Sequence, residues 1–156
     1  NNKQLYQFLN DSKIKIEKNA NYGNLIDKIF SHFVEPNLIE PTFIINFPKE
    51  ISPLAKTHRD NEELVERFEL FIGGMEIANS FTELNDPIDQ IERLNAQVKL
   101  RAKGDKEAQV VDHSFIEAME SGMPPTGGVG IGIDRLVMLF TNNTSIKDVT
   151  FFPAMR

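Results

Sequence analysis

Leu5, Phe8 and Leu9 recur at helical spacing and predict a short amphipathic helix over residues 3–13, with a polar loop behind it at 14–21. A second helix is predicted over 24–34, burying Leu25, Ile26, Ile29, Phe30 and Phe33 and stopped by Glu35-Pro36. The apolar run 42–47 lies between Pro41 and Pro48 and predicts a short strand. Ser52-Pro53-Leu54-Ala55-Lys56 and Thr57-His58-Arg59-Asp60 read as a polar loop, with no role assigned to Lys56, His58 or Arg59. Alternation then takes over. In a strand over 65–72, Phe68, Leu70 and Ile72 share one face, and Arg67, Glu69 and Phe71 the other. Gly73-Gly74 is a hairpin-turn signal, so 75–84 returns antiparallel, with Ile72 opposite Met75 and Phe71 opposite Glu76.

Helical spacing resumes at Asp86-Pro87, an N-cap followed by a first-turn proline. Ile88, Ile91, Leu94 and Val98 mark the apolar side of this helix, and Lys103-Gly104 ends it. Its charged residues, Glu92, Arg93 and Arg101 among them, read as a solvated face. Asp112 predicts the cap of another helix through Ser121, terminated by Gly122. Residues 129–133 predict a short strand with glycine at alternate positions. Asp134 would cap a last helix with Leu136, Val137, Leu139 and Phe140 on its apolar face. Residues 149–152 form a closing apolar strand or loop. Antiparallel strands interleaved with helices make an α+β domain, a mostly antiparallel sheet with helices packed on it.

Composition narrows the function. The 156 residues suffice for one domain with a core. A net charge of −6 argues against this segment being the main grip on a nucleic acid, and fits a pocket for a cationic or metal-bound ligand. The absence of cysteine excludes disulfides and Cys-based zinc sites. His32, His58 and His113 are far apart in sequence, and His32 and His113 read as surface residues. No apolar run approaches a membrane span and no signal-peptide pattern is present. The start, Asn1-Asn2-Lys3, lacks an initiator methionine, so a fragment is expected.

The candidate chemistry concentrates in two stretches. On the hairpin, Glu69 and Glu76 would share a face as diagonal neighbours about 7–8 Å apart. Taken alone, they read most simply as two glutamates on a solvated face; a magnesium ion between them is the sharper reading, since that ion favours a few carboxylates, water and phosphate oxygens. On the return strand Asn79, Phe81 and Glu83 alternate on one face. This row suits an alkyl amine, with Glu83 for the ammonium, Phe81 for the methylenes and Asn79 as an orienting amide. Strict alternation puts Glu76 on the opposite face, so a shared site requires a bulge or sharp twist between Glu76 and Asn79. The second stretch is Pro124 to Phe140, P-P-T-G-G-V-G-I-G-I-D-R-L-V-M-L-F. Its glycines fit neither G-x-G-x-x-G nor a Walker loop. Glycine in a strand marks a close approach by a ligand or backbone, and Arg135 beside it can stack on a base or fork onto a phosphate. A packed strand with a structural Asp134–Arg135 pair is the plainer alternative.

Together these stretches resemble the class II aminoacyl-tRNA synthetases. G-V-G-I-G-I-D-R at 128–135 is similar to their third signature motif, and the E-x-x-N-x-F-x-E row at 76–83 to the lysyl-tRNA synthetase version. The resemblance extends to P-T-F-I-I-N-F-P-K-E-I-S-P-L-A-K at 41–56 and F-F-P-A-M-R at 151–156. It implies the class II synthetase fold, with residues 1–156 as the C-terminal portion of a catalytic domain. The first and second family motifs and the anticodon-binding domain find no counterpart here. The implied activity is ATP-dependent activation of L-lysine and its transfer to tRNA(Lys), in a cytoplasmic enzyme that is a homodimer at full length. On that reading Glu69 and Glu76 hold Mg2+ on ATP, Gly130 and Gly132 let the nucleotide approach, and Arg135 is the catalytic, ATP-contacting arginine. Asn79, Phe81 and Glu83 bind lysine. The isolated chain would be inactive. Two alternatives remain open: a paralogue that attaches a lysine analogue to a protein, and a non-catalytic regulatory or dimerising module.

Overall fold

The computed structural model describes residues 2–16, 20–104 and 108–153. Its elements are α1 (Asn2–Asp11), α2 (Tyr22–Ile29), β1 (Thr42–Ile45), β2 (Thr57–His58), β3 (Asn61–Val65), β4 (Arg67–Ile72), β5 (Met75–Thr82), α3 (Pro87–Ala102), α4 (His113–Glu120), β6 (Gly127–Ile131) and α5 (Ile133–Thr141). A four-stranded sheet in the order β1-β4-β5-β6, antiparallel at every step, carries the fold. β2 and β3 form a separate two-stranded ribbon. The α+β class with a mainly antiparallel sheet is what the sequence predicts. The terminal A-M-R at 154–156 lies outside the described residues.

Local signals explain most elements. The side chains of Asn21 and Asn24 each accept from the other's backbone N–H and box the start of α2. Gly73 and Gly74 adopt φ of 61° and 72°, the left-handed pair a tight hairpin needs. Asp86 caps α3 by accepting from the Ile88 and Asp89 N–H groups, and Pro87 fills the first turn, as expected. Asp112 caps α4 through the Phe115 N–H.

Several expectations are corrected. α2 does not stop at Glu35-Pro36: it widens into a π-helical stretch at Phe30–Val34 and tightens into a 3-10 turn at Glu35–Asn37, where proline is tolerated in the first turn. Phe33 is not buried, but packs its ring against Phe8 at 5.4 Å. The strand expected over 65–72 is two strands broken at Glu66. The Glu66 N–H donates to the Lys56 carbonyl and its own carbonyl accepts from the Thr82 N–H, which turns the chain out of the sheet. Val65 therefore closes β3, and Thr57–His58, expected in a loop, pairs with it. β6 starts and ends two residues earlier than expected, and Gly132, not Asp134, is the N-cap of α5. Residues 149–152 are a loop, one of the two forms expected, and Phe151 and Phe152 are exposed.

The largest correction concerns α3. Ile88 and Val98 are exposed, whereas Gln90, Arg93 and Leu94 are buried. The helix lies on the 53–57 segment, whose carbonyls need donors. Gln90 Nε2 donates to the Pro53 carbonyl, and Arg93 donates to the Ala55 carbonyl and to Thr57 Oγ1 while held by Asp89. A polar stripe is buried because each backbone acceptor would otherwise be orphaned. Leu94, Ile116 and Met119 then join α3 to α4, and Phe47, Ala55 and Val65 form a second core beneath the sheet's end.

The two sheet faces differ. Phe43, Leu70, Ala78 and Ile131 form one cross-strand row, and Ile45, Phe68, Ser80 and Val129 the next. Phe43, Ile45, Val129 and Ile131 in these rows are 52–65% exposed. The opposite face carries the polar side chains described next.

Candidate active site

A single extra residue assembles the site. Across β4 and β5, Ile72 faces Met75 and Phe71 faces Glu76, but Leu70 faces Ala78, leaving Ile77 unmatched. This bulge lies within the interval where the shared site requires one. It restores the parity of the strand: Arg67 opposes Phe81, Glu69 opposes Asn79 and Phe71 opposes Glu76. Directly opposed residues point to the same side, so Glu69, Glu76, Asn79 and Phe81 share one face. β6 adds Gly130 opposite Asn79 and Gly128 opposite Phe81. The bulge also frees the Ile77 carbonyl to accept from the Gly132 N–H at 2.9 Å, which tethers the turn into α5.

Glu76, Asn79, Gly130, Gly132, Asp134 and Arg135 line a cleft of about 360 Å³. Arg135, half exposed on the first turn of α5, donates Nη1–H to the Glu76 carbonyl at 2.7 Å and lies 3.5 Å from its carboxylate. A side chain at Gly130 would meet only the Asn79 carbonyl, at 3.8 Å, so the floor above it is open. At Gly132 an added Cβ would touch the Arg135 side chain at 3.5 Å.

Glu83 continues the row past β5, in a bridge to Ala55. The Ser-Pro-Leu-Ala-Lys segment clamps it. Lys56 N–H donates to the Thr82 carbonyl at 2.7 Å, Leu84 N–H to the Leu54 carbonyl at 3.0 Å, and Lys56 Nζ to Asn85 Oδ1 at 3.1 Å. The Glu83 carboxylate lies over Gly128: a Cβ there would come within 2.1 Å of Oε1. Burial pushes the Glu83 carboxyl above the ordinary carboxylate range.

Glu69 is nearly buried, and burial raises its carboxyl despite the Arg67 guanidinium beside it; the Glu76 charge adds to the rise. Glu35, from the 3-10 turn after α2, is raised in the same sense by burial and by Glu76, with Arg135 opposing. Asp27 of α2 also acts on Glu69. Among the described residues no three acidic or histidine side chains form a closed metal cage. Glu69 and Glu76 are an oxygen-only pair, with the Glu76 charge disfavouring that of Glu69, a donor set that suits a hard cation sharing its shell with phosphate and water. Arg67 already takes Oε1 of Glu69, leaving Oε2 for such an ion.

A family model of the class II tRNA synthetases (D, K and N) matches residues 4–156. The chain belongs to that family. Among its curated relatives, a lysine–tRNA ligase of Helicobacter pylori (strain ATCC 700392 / 26695) is 56% identical over 153 residues, covering 98% of this chain. A lysine–tRNA ligase of Christiangramia forsetii is 53% identical over 154 residues, covering 99% of this chain. The chain spans 30% and 27% of the length of these two synthetases.

The structure thus gathers every sequence-predicted site residue of this synthetase segment on one side of the sheet or at its β6–α5 corner. It also adds residues that sequence reading passed over. Gly128 bears on Glu83 more closely than Gly130 or Gly132 bears on anything. Arg67, assigned to the correct face but given no role, contacts both Glu69 and Asn79. Ser52 and Lys56 support the site from a segment read as an inert turn, and Asp27 and Glu35 approach from an element with no sequence signal for it. Period-2 alternation with Glu69 marked Arg67; for Asp27 and Glu35 no local signal exists.

Proposed function

We propose that this chain is the C-terminal portion of the catalytic domain of a lysine–tRNA ligase and works within a longer protein. The observation that carries the reading is the bulge at Ile77, which turns Glu76 onto the face of Glu69, Asn79 and Phe81 beside an open glycine floor and Arg135. Glu83 receives the substrate's ammonium, Phe81 its methylenes and Asn79 its reacting end. The lysine carboxylate then lies toward Glu76 and Arg135, where a nucleotide triphosphate would sit.

In the first step a carboxylate oxygen attacks the α-phosphorus of ATP, the bond to the β-phosphate bridging oxygen breaks, and lysyl-adenylate and pyrophosphate form. A terminal hydroxyl of tRNA(Lys) then attacks the acyl carbon and AMP leaves. The chain's contribution is positioning and charge neutralisation. Arg135 is the cation for the nucleotide, with its first-turn place on α5 aiming it along the cleft. Gly130 and Gly132 keep the floor low for the nucleotide. Glu69 and Glu76 are the ligands for Mg2+, which neutralises the phosphates when bound.

The exposed apolar rows on the opposite sheet face are explained if the rest of the catalytic domain and a dimer partner cover them. No helix of the described residues is long and apolar enough to cross a membrane. As a lysine–tRNA ligase, the protein would work in the cytoplasm. The test is lysine-dependent ATP–pyrophosphate exchange on this chain and on the full-length protein. We expect exchange from the full-length protein alone. A full-length protein that stays silent with lysine, ATP and Mg2+ overturns the assignment.

A further inference from the structure

Arg67 is the most heavily engaged charged side chain near the site. Its guanidinium lies 4.5 Å over the Phe47 ring and its side chain is only 16% exposed. Nη1 donates to Ser52 Oγ at 2.9 Å and to the Ile51 carbonyl at 3.4 Å. Nη2 donates to Glu69 Oε1, and Nε donates to Asn79 Oδ1 at 3.2 Å. The planar fork is therefore fixed from behind by a backbone carbonyl, a hydroxyl and an aromatic face. A lysine could not satisfy these directions simultaneously.

The bond to Asn79 has a chemical consequence. A carboxamide offers one oxygen acceptor and one NH2 donor. With Oδ1 taken by Arg67, the group Asn79 presents to the cleft is Nδ2, a donor. It can meet an acceptor and repels an ammonium. Asn79 and Glu83 are four residues apart on an extended strand, roughly 13 Å along it. That is about the span of an extended lysine with a hydrogen bond at each end.

We infer that Arg67 is a positioning residue that locks the Asn79 carboxamide with Nδ2 toward the cleft, so that Asn79 reads the carboxylate of the bound amino acid. This rests on the reading of the site as one that activates lysine. Arg67 touches neither substrate nor the reacting atoms; it sets amino-acid polarity, ammonium toward Glu83 and carboxylate toward Arg135.

The test compares lysine with 1,5-diaminopentane, which keeps the ammonium and methylenes but lacks the carboxylate. In the full-length protein the KM for lysine and the inhibition constant for diaminopentane are measured in the exchange assay, with ATP KM and melting temperature alongside. Arg67→Lys is expected to raise the lysine KM by about tenfold or more, the effect of losing a donor to a charged acceptor. Diaminopentane inhibition should stay within about twofold, inside the scatter of such comparisons. Asn79→Asp keeps the acceptor that Arg67 needs but sets a carboxylate against the substrate's own. It should weaken lysine at least as much and leave diaminopentane unharmed, and it covers the case in which Arg67→Lys fails to fold. Equal weakening of both ligands in these variants, or of neither, overturns the inference while leaving the functional reading intact. A wild-type protein indifferent to lysine overturns the functional reading, and the inference with it.

Discussion

Gly128→Ala probes the lysine end of the site with one methyl group. The added Cβ would sit 2.1 Å from Glu83 Oε1, 3.3 Å from Cδ and 3.9 Å from Cγ. Oε1 must withdraw by roughly 1 Å or more to reach ordinary contact. The obstructed atom ends a flexible side chain, so the fold tolerates the change: removing a glycine from an extended strand contributes about 0.4–1 kcal/mol of stability where the conformation allows it. Ligand recognition does not tolerate it. A charge-assisted N–H···O bond needs about 2.7–2.9 Å, and a displaced Glu83 forfeits one worth about 1.5–3 kcal/mol. Lysine affinity should fall about 10- to 100-fold. Calorimetric titration of the full-length protein with lysine, and separately with ATP, reads this directly, with a thermal melt as the control for folding. Unchanged lysine affinity in a folded Gly128→Ala protein would refute the claim that Glu83 recognises the ammonium from above Gly128.

Three further outcomes follow from the same geometry. Because burial holds the Glu83 carboxyl above its ordinary value and the anion binds the ammonium, lysine affinity should be lost on acidification at a higher pH than an ordinary carboxylate would give, and Glu83→Gln should bind weakly with that pH arm removed. Asp89 is held below the ordinary carboxylate range by its hydrogen bond to Arg93, so its contribution to stability is present above the unfolded-state value and lost as pH falls through the folded one. Asp89→Asn should therefore cost about 1–3 kcal/mol near neutral pH, leave Arg93 buried with fewer acceptors, and flatten the acid limb of a urea-denaturation series. Gly73→Ala meets no atom within 4 Å but keeps φ near 61°, so about 1–2 kcal/mol of conformational strain should appear in melting temperature with lysine affinity unchanged.

What was legible in the chain was whatever a few neighbouring residues decide. The Gly-Gly hairpin, the Asp86-Pro87 start of α3, the Asp112 cap and the antiparallel α+β plan all rest on turn, cap and alternation signals within one or two turns of backbone. Even the bulge was foreseeable, since carboxylates and an amide of opposite parity cannot share a ligand without one. Contacts distant in sequence were not legible. Arg93 reads as a surface charge on a helical wheel, yet it is buried, donating to the Ala55 carbonyl 38 positions upstream and to Thr57 Oγ1. Glu66 ends a strand because Lys56 and Thr82 bond it from two sides. Gly128 and Glu83, 45 positions apart by number, meet only because β6 is laid against β5. Arg67 acquires its role from Phe47, Ser52 and Asn79, which converge on it only when the sheet closes. Propensity and period act along the chain; which polar groups are shut away from water, and so must be paired, is decided by what packs above them.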